Sequence, residues 1–344
     1  MNSLIENTAT EPKRKKKTHF ILILLLLFSA VVLWEEHRHK REEKKQRWQN
    51  AVYVWQTVWQ EPVRRAVSTA AESGCRIMFL AAEIHSVNES VSIRKCIPDW
   101  QTISQISQPV TAVFRLDTSI AQDLDKKRDL ILSTLSDLVK EIQKETTARH
   151  FQMNEVQLDF DCPTSKLRSY GILLTKFREA FPKLTVSATV LPTWLKTHAM
   201  RYLVDELDYM VVQVHTLERN SSAEQSLLLF NADRFETYIR RASSWEIPYF
   251  LAFPTYGYTV VFDERGDLYG VYAEEPSETP RDGFTAVEVT ADPAQLSESV
   301  AKLKEDVPKN CLGIAWFRLP IATDKRNWSW DTLVDVMSGK TSPL

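Results

Sequence analysis

The sequence predicts an α/β fold, a single (β/α)8 barrel of the TIM type preceded by an N-terminal membrane anchor helix. Two patterns carry that prediction. Eight short, β-rich apolar runs alternate with longer amphipathic stretches between residues 51 and 340, the rhythm of strand–helix units closing into a barrel. Ahead of them lies an uncharged apolar run, Phe20 to Trp34, behind the basic cluster Lys13-Arg14-Lys15-Lys16-Lys17.

The N-terminal pattern divides into a basic cytoplasmic tail (1–17), a transmembrane signal anchor (18–34) and a charged stalk (35–50). Fifteen apolar residues at about 1.5 Å each reach roughly 22 Å, so spanning the hydrocarbon core draws on Thr18 and His19 as well. The run ends in VVLWEE, with neither a small-x-small cleavage site nor a lipobox cysteine, which favours an uncleaved anchor. The barrel is then expected on the periplasmic or extracytoplasmic side of the inner membrane. Residues 1–50 hold eleven Lys/Arg against six Glu, a surplus of +5, so the remainder carries −7 of the formal net charge of −2. An acidic body without a basic face excludes a nucleic-acid partner.

The predicted strands are VYVWQTVW (52–59), RIMFLAAEI (76–84), VTAVFRLD (110–117), EVQLDFD (155–161), TVSATVL (185–191), YMVVQVH (209–215), YFLAFPTYG (249–257) and LGIAWFRLP (312–320). Helical patterns fill Glu61 to Ala71, Leu124 to Lys144, Lys166 to Phe181, Asp233 to Ser243, Ala294 to Lys304 and Trp330 to Met337. Insertions at 86–109 and 258–288 both follow strand C-terminal ends, where a barrel builds its binding face. The second contains VVFDERGDLYGVY, a hairpin pattern turning at Arg265-Gly266. An open doubly wound sheet would carry a Gly-rich phosphate turn. Only eight Gly occur, with no GxGxxG or P-loop, and no cofactor motif is present. Cys75, Cys96, Cys162 and Cys311 have no zinc-like spacing and no HExxH or HxH occurs, so no metal is expected. Cys75 and Cys96 are the pair nearest in sequence.

Alternate side chains of a barrel strand point inward, and those near its C-terminal end face the open mouth. Polar residues sharing one parity of an apolar strand therefore mark a site. The fourth run places Gln157, Asp159 and Asp161 on one parity. The same test yields Glu83 and His85, Arg115 and Asp117, Ser187 and Thr189, Gln213 and His215, and Trp316 and Arg318, with Tyr256 at the end of the seventh run. Trp55, Trp59 and Trp316 are either core or platforms for sugar rings. Asp159 and Asp161 are the expected catalytic pair, with Asp161 as proton donor. The others are expected to bind substrate.

Over most of residues 51–335, with VYVWQTVW, QLDFDCPTSKL, VLPTW and LAFPTYGY, the chain resembles a bacterial family known as domain of unknown function 3142. It more distantly resembles glycoside hydrolase family eighteen, the chitinase-like barrels, whose fourth strand ends in D-x-D-x-E followed by a proline. In QLDFDCP, Gln157 stands at the first Asp, Asp159 matches the second, Asp161 takes the place of the Glu, and Pro163 matches the proline. The resemblance implies that the terminal carboxyl protonates the leaving glycosidic oxygen while the substrate's N-acetyl group attacks. Two departures accompany it. Asp is one methylene shorter than Glu, and the sixth strand offers QVH where a tyrosine would stand. The expected function is a membrane-anchored, glycosidase-like barrel acting on an envelope or exported polysaccharide. Alternatives are a lectin-like barrel that binds glycan without cleaving it, and an envelope scaffold.

Overall fold

The computed structural model describes residues 48–219, 227–273 and 282–340. The predicted tail, the anchor and the stalk up to residue 47 lie outside the described residues. Among the described residues no helix is long and apolar enough to cross a membrane.

The strands are β1 (Gln49–Val54), β2 (Arg76–Val87), β3 (Ser90–Lys95), β4 (Val110–Leu116), β5 (Glu155–Phe160), β6 (Thr185–Val190), β7 (Tyr209–Gln213), β8 (His215–Arg219), β9 (Leu227–Phe230), β10 (Tyr249–Pro254), β11 (Gly257–Phe262), β12 (Leu268–Tyr272), β13 (Thr285–Thr290) and β14 (Cys311–Phe317). Eight of them, β1, β2, β4, β5, β6, β7, β10 and β14, form a parallel sheet in sequence order. It closes because β1 pairs in parallel with both β14 and β2. Closure brings β1 and β14 close together at Gly313, which has φ +140, and an added Cβ there would lie 1.9 Å from the Gln49 carbonyl oxygen. Glycine alone tolerates both the backbone angle and the approach.

The helices are α1 (Glu61–Glu72), α2 (Trp100–Ser104), α3 (Ile120–Asp123), α4 (Arg128–Ala148), α5 (Leu167–Ala180), α6 (Arg201–Val204), α7 (Ala232–Ser243), α8 (Pro293–Glu305) and α9 (Trp330–Ser338). The six predicted helices correspond to α1, α4, α5, α7, α8 and α9. Each long one buries a stripe at helical spacing; in α5 it is Leu167, Tyr170, Leu174 and Phe177. Polar caps start the later ones. Asn231 Oδ1 accepts from the Asp233 and Arg234 amides ahead of α7, and Asp292 Oδ1 from Ala294 ahead of α8.

Side chains inside the barrel stack in layers. At the bottom Arg76 is paired with Glu155, which also accepts from Thr111 Oγ1 at 2.9 Å. Above them the Tyr53 hydroxyl donates to Gln157 Oε1 at 2.6 Å, and Gln157 Nε2 donates to Ser187 Oγ at 3.2 Å. The top layer opens into the mouth. A buried polar ladder of this kind persists only when each rung satisfies the next, because an unpaired buried polar group costs about 1–3 kcal/mol.

Several expected boundaries move. The first strand spans Gln49–Val54 rather than 52–59, so it takes in the last two residues assigned to the stalk, Gln49 and Asn50. Their partners are Gly313 and Ile314. Past Val54 the chain leaves the sheet, with Trp55 on the cavity wall and Val58 in an isolated parallel bridge to Ile97. The insertion at 86–109 begins as a continuation of β2, which folds back on β3 as an antiparallel hairpin from Ala82 to Lys95. The insertion at 258–288 forms a three-stranded sheet in the order β12-β11-β13, turning at Gly266 with φ +78. The β8–β9 pair was not anticipated. All four cysteines are buried free thiols, so Cys75 and Cys96 are not joined.

Candidate active site

The barrel mouth holds a cavity of about 570 Å³. Its walls include Tyr53 on β1 and Trp55 just past it, Arg115 on β4, Asp159 and Asp161 on and after β5, Thr189 on β6, Gln213 on β7, His215 on β8, and Tyr256, Tyr258, Phe317 and Arg318. Period-two alternation along β5 turns Gln157, Asp159 and Asp161 to the same side. Gln157 is fully buried beneath the cavity, bonded to Tyr53 and Ser187, and is a floor residue rather than a substrate contact.

Asp159 is held on both oxygens. Arg115 Nη1 donates to Oδ2 at 2.6 Å and Thr189 Oγ1 to Oδ1 at 2.7 Å, and the side chain is almost entirely buried. With both oxygens engaged, Asp159 anchors Arg115. Asp161 sits one step nearer the mouth. Its Oδ1 accepts from Gln213 Nε2 at 3.3 Å, and its Oδ2 lies 3.7 Å from Arg115 Nη2. Removal from bulk water pushes the Asp161 carboxyl from 3.8 up to about 6, repulsion from Asp159 adds to the rise, and Arg115 and the Gln213 bond oppose it. The 32% of its side-chain surface still exposed lines the cavity.

His215 stacks on Phe317, with rings 5.7 Å apart and tilted by 15°, and its Nδ1 lies 3.0 Å from the Ala252 carbonyl oxygen. A carbonyl only accepts, so Nδ1 carries the hydrogen and Nε2 presents a lone pair. Burial lowers the His215 pKa from its ordinary 6.5, opposed by the Ala252 bond and the charge of Asp159. Below pH 6.5 the unfolded chain takes a proton that the folded ring refuses, so this residue costs stability as pH falls through that value. Titration of the imidazole nitrogens by NMR should give a midpoint below 6.5; one at or above 6.5 would contradict the buried neutral ring.

Aromatic rings line much of the remaining wall. Trp55 meets Phe317 edge-on at 4.9 Å and lies 5.8 Å beneath the Arg115 guanidinium, while Tyr256 lies 5.5 Å beneath that of Arg318. The Tyr256 and Tyr258 hydroxyls are bonded to each other. That bond uses one of their two hydrogens and leaves the other for a bound molecule.

Of the expected site residues, Arg115, Asp159, Asp161, Gln213, His215, Tyr256 and Arg318 converge on this cavity, and Glu83, His85, Asp117, Gln157 and Trp316 do not line it. Glu83 shares a row with Arg115 but is bound to Arg94 of β3 at 3.3 Å. His85 and Asp117 lie past the last paired rungs of β2 and β4, 3.7 Å from each other, and Asp117 accepts the Ser119 amide. Trp316 is fully buried against Phe253, bonded through Nε1 to Asn50 Oδ1. Parity on β14 is the reverse of the expectation, with Ala315 in the barrel core and Phe317 in the mouth. Trp59 likewise packs on Phe79 rather than lining the cavity. Reasoning from sequence missed Tyr258, Phe317 and Leu229. Phe317 was hidden by the parity error and Leu229 by the unexpected β8–β9 pair. Tyr258 follows Tyr256 in PTYGY and was legible as an aromatic pair. Among the described residues no group of three His, Cys, Asp or Glu gathers to hold a metal ion.

The profile of the family described as Domain of unknown function (DUF3142) matches residues 106–322, well over half of the chain. The chain belongs to that family. No curated protein matches it. Among solved structures it is similar to the spore cortex-lytic enzyme SleL of Bacillus megaterium QM B1551, at 11% identity and a TM-score of 0.59, over 85% of this chain and 74% of that one. It is similar to a chitinase from Chromobacterium violaceum ATCC 12472, at 13% identity and a TM-score of 0.57, over 86% of this chain and 99% of the other. A third is a plant class V chitinase mutant from Cycas revoluta in complex with (GlcNAc)3, at 12% identity and a TM-score of 0.51, covering 79% of this chain and 95% of that one. At these identities the likeness is one of fold: this family member shares the (β/α)8 barrel of those structures.

Proposed function

We propose that this protein is an envelope glycosidase, held at the membrane by residues 18–34, that cleaves an N-acetylated polysaccharide with Asp161 as general acid. The observation that carries the reading is Asp161 itself. It is a carboxyl raised to about 6 at the wall of an open, aromatic-lined cavity, able to hold its proton in the range where a donor must. The barrel fold supports it, as does a solved neighbour of the same fold whose structure is a complex with (GlcNAc)3.

In the reaction, Asp161 gives its proton to the glycosidic oxygen as the bond from that oxygen to C1 breaks. The acetamido carbonyl oxygen of the same sugar closes on C1. Water then attacks C1 and reopens the ring, and its proton returns to the Asp161 carboxylate. Arg115 and Gln213 hold the Asp161 carboxyl in place, the free hydroxyl hydrogen of the tyrosine pair can donate to a sugar oxygen, and His215 Nε2 can accept from a substrate N–H. The acid is one methylene shorter than Glu and Arg115 stands close to it. Those two features favour a second reading, a barrel that binds the glycan without cleaving it.

Release of reducing ends from GlcNAc oligomers and wall glycans tests the proposal. Binding without release would select the second reading, and no binding would reject both. The exported location has its own test. A phosphatase reporter fused after Leu344 should be active outside the cytoplasm, and activity confined to the cytoplasm would remove the envelope substrate.

A further inference from the structure

Asp159 and His215 both line the main cavity, and only His215 keeps an acceptor atom open. Asp159 accepts from Arg115 on Oδ2 and from Thr189 on Oδ1, and 4% of its side chain is exposed. His215 is fixed from its other side. Its Nδ1 hydrogen is spent on the Ala252 carbonyl oxygen, and the ring lies against Phe317 and meets Tyr256 edge-on at 6.4 Å. Nε2 makes no hydrogen bond among the described residues and is not enclosed, so its lone pair opens on the cavity that the ring lines. Asp159 still acts on the ring through its charge, which favours the imidazolium, while burial keeps the resting ring neutral. The acid carboxyl is within reach of the same sugar. Gln213, two residues before His215, bonds to Asp161, and β5 and β7 are two strands apart, about 10 Å at the backbone before the side chains turn inward.

We infer that His215, rather than Asp159, is the second catalytic residue: its Nε2 accepts the acetamido N–H of the sugar being cleaved and takes that proton as the ring closes. The inference rests on the glycosidase reading of this cavity. As the acetamido oxygen bonds to C1 and the bond from C1 to the glycosidic oxygen breaks, the nitrogen gains positive charge and its hydrogen becomes acidic. The proton passes to Nε2, which leaves a neutral five-membered ring on the sugar and an imidazolium beside the Asp159 carboxylate. When water attacks C1, its proton goes to the Asp161 carboxylate and the imidazolium returns its own to the nitrogen, so both groups are restored. Gln213 also faces the cavity, but an amide oxygen accepts a hydrogen bond without being able to hold the proton.

The test is the pH dependence of cleavage of GlcNAc oligomers by the wild type and two variants. The ionisable groups sharing the cavity with His215 are Arg115 on β4, Asp159 and Asp161 on and after β5, Arg318 after β14, and the tyrosines Tyr53, Tyr256 and Tyr258. His215→Phe keeps a ring against Phe317 and removes the acceptor, so kcat should fall by roughly 10² to 10⁴ fold with little change in KM. His215→Gln restores an acceptor without a base and should recover part of that loss. In the wild type, kcat/KM should fall on the acid side with the midpoint at which the His215 ring titrates by NMR. In His215→Gln that limb should be gone while the alkaline limb of Asp161 remains, with melting curves at each pH confirming that the variants are folded. An acid limb that persists in His215→Gln, or a folded His215→Phe variant as fast as wild type, would overturn the assignment while leaving the glycosidase reading intact. If the wild type cleaves no GlcNAc oligomer, that reading itself fails and the role of His215 falls with it.

Discussion

Asp161→Asn should lower hydrolysis of a cleaved glycan by roughly 10² to 10⁴ fold, because the amide keeps the shape and loses the proton. It should also raise stability at neutral pH. The carboxyl is pushed from 3.8 to about 6 in the folded protein, so between those values the fold binds a proton that the unfolded chain releases. Stability therefore falls as pH rises through that window, and the penalty is complete above about 6. The interval is worth at most about 3 kcal/mol. With 32% of the side chain exposed, screening reduces it to about 1–2 kcal/mol. The Asn variant should then melt roughly 2–6 °C above wild type at pH 7.5 and level with it near pH 4. Calorimetric scans at both pH values, set beside the turnover assay, check the two halves independently. Unchanged turnover would remove Asp161 as the acid, and an unchanged melting point at pH 7.5 would remove the strained carboxyl.

Where sequence and structure agree or part follows from how cleanly each strand alternates. On β5 the apolar residues Val156, Leu158 and Phe160 face the helices while Glu155, Gln157 and Asp159 face inward, so parity was readable without coordinates. On β14 the run is apolar on both parities, and polarity had nothing to distinguish. Size was the usable signal, since the narrow interior takes Ala315 while Trp316 needs the wider space beneath the helices. On β2 the pairing slips between Leu80 and Ala82, a bulge that changes which parity faces inward and that has no marker residue. Glu83 and His85 then lie at the level where β3 pairs, and Glu83 is captured by Arg94.

Arg115 gives the larger expected effect on the fold itself. It donates to Asp159 at 2.6 Å and lies 3.7 Å from Asp161, so it is the cation that lets two carboxyl groups share one strand face. Arg115→Met keeps much of the apolar stem beside Trp55 and leaves Asp159 buried without its partner. Breaking a buried pair from one side costs about 3–5 kcal/mol, and the one-third exposure of the Arg115 side chain reduces that to about 2–4 kcal/mol. Melting should fall by roughly 4–12 °C at pH 7.5. The loss should be smaller at pH 5, where a proton on the pair relieves the repulsion. Arg115 also lowers the Asp161 pKa, so its removal should carry that pKa above about 6 and move the alkaline limb of the pH–rate profile upward. The companion variant Arg115→Met/Asp159→Asn separates charge from packing. Removing both members leaves no stranded carboxylate, so the double variant should recover most of the lost stability, and its Asp161, freed from the repulsion of Asp159, should titrate lower than in Arg115→Met. If the double variant melts no higher than the single one, the cost of losing Arg115 is steric, and the paired carboxyl groups are not what the guanidinium supports.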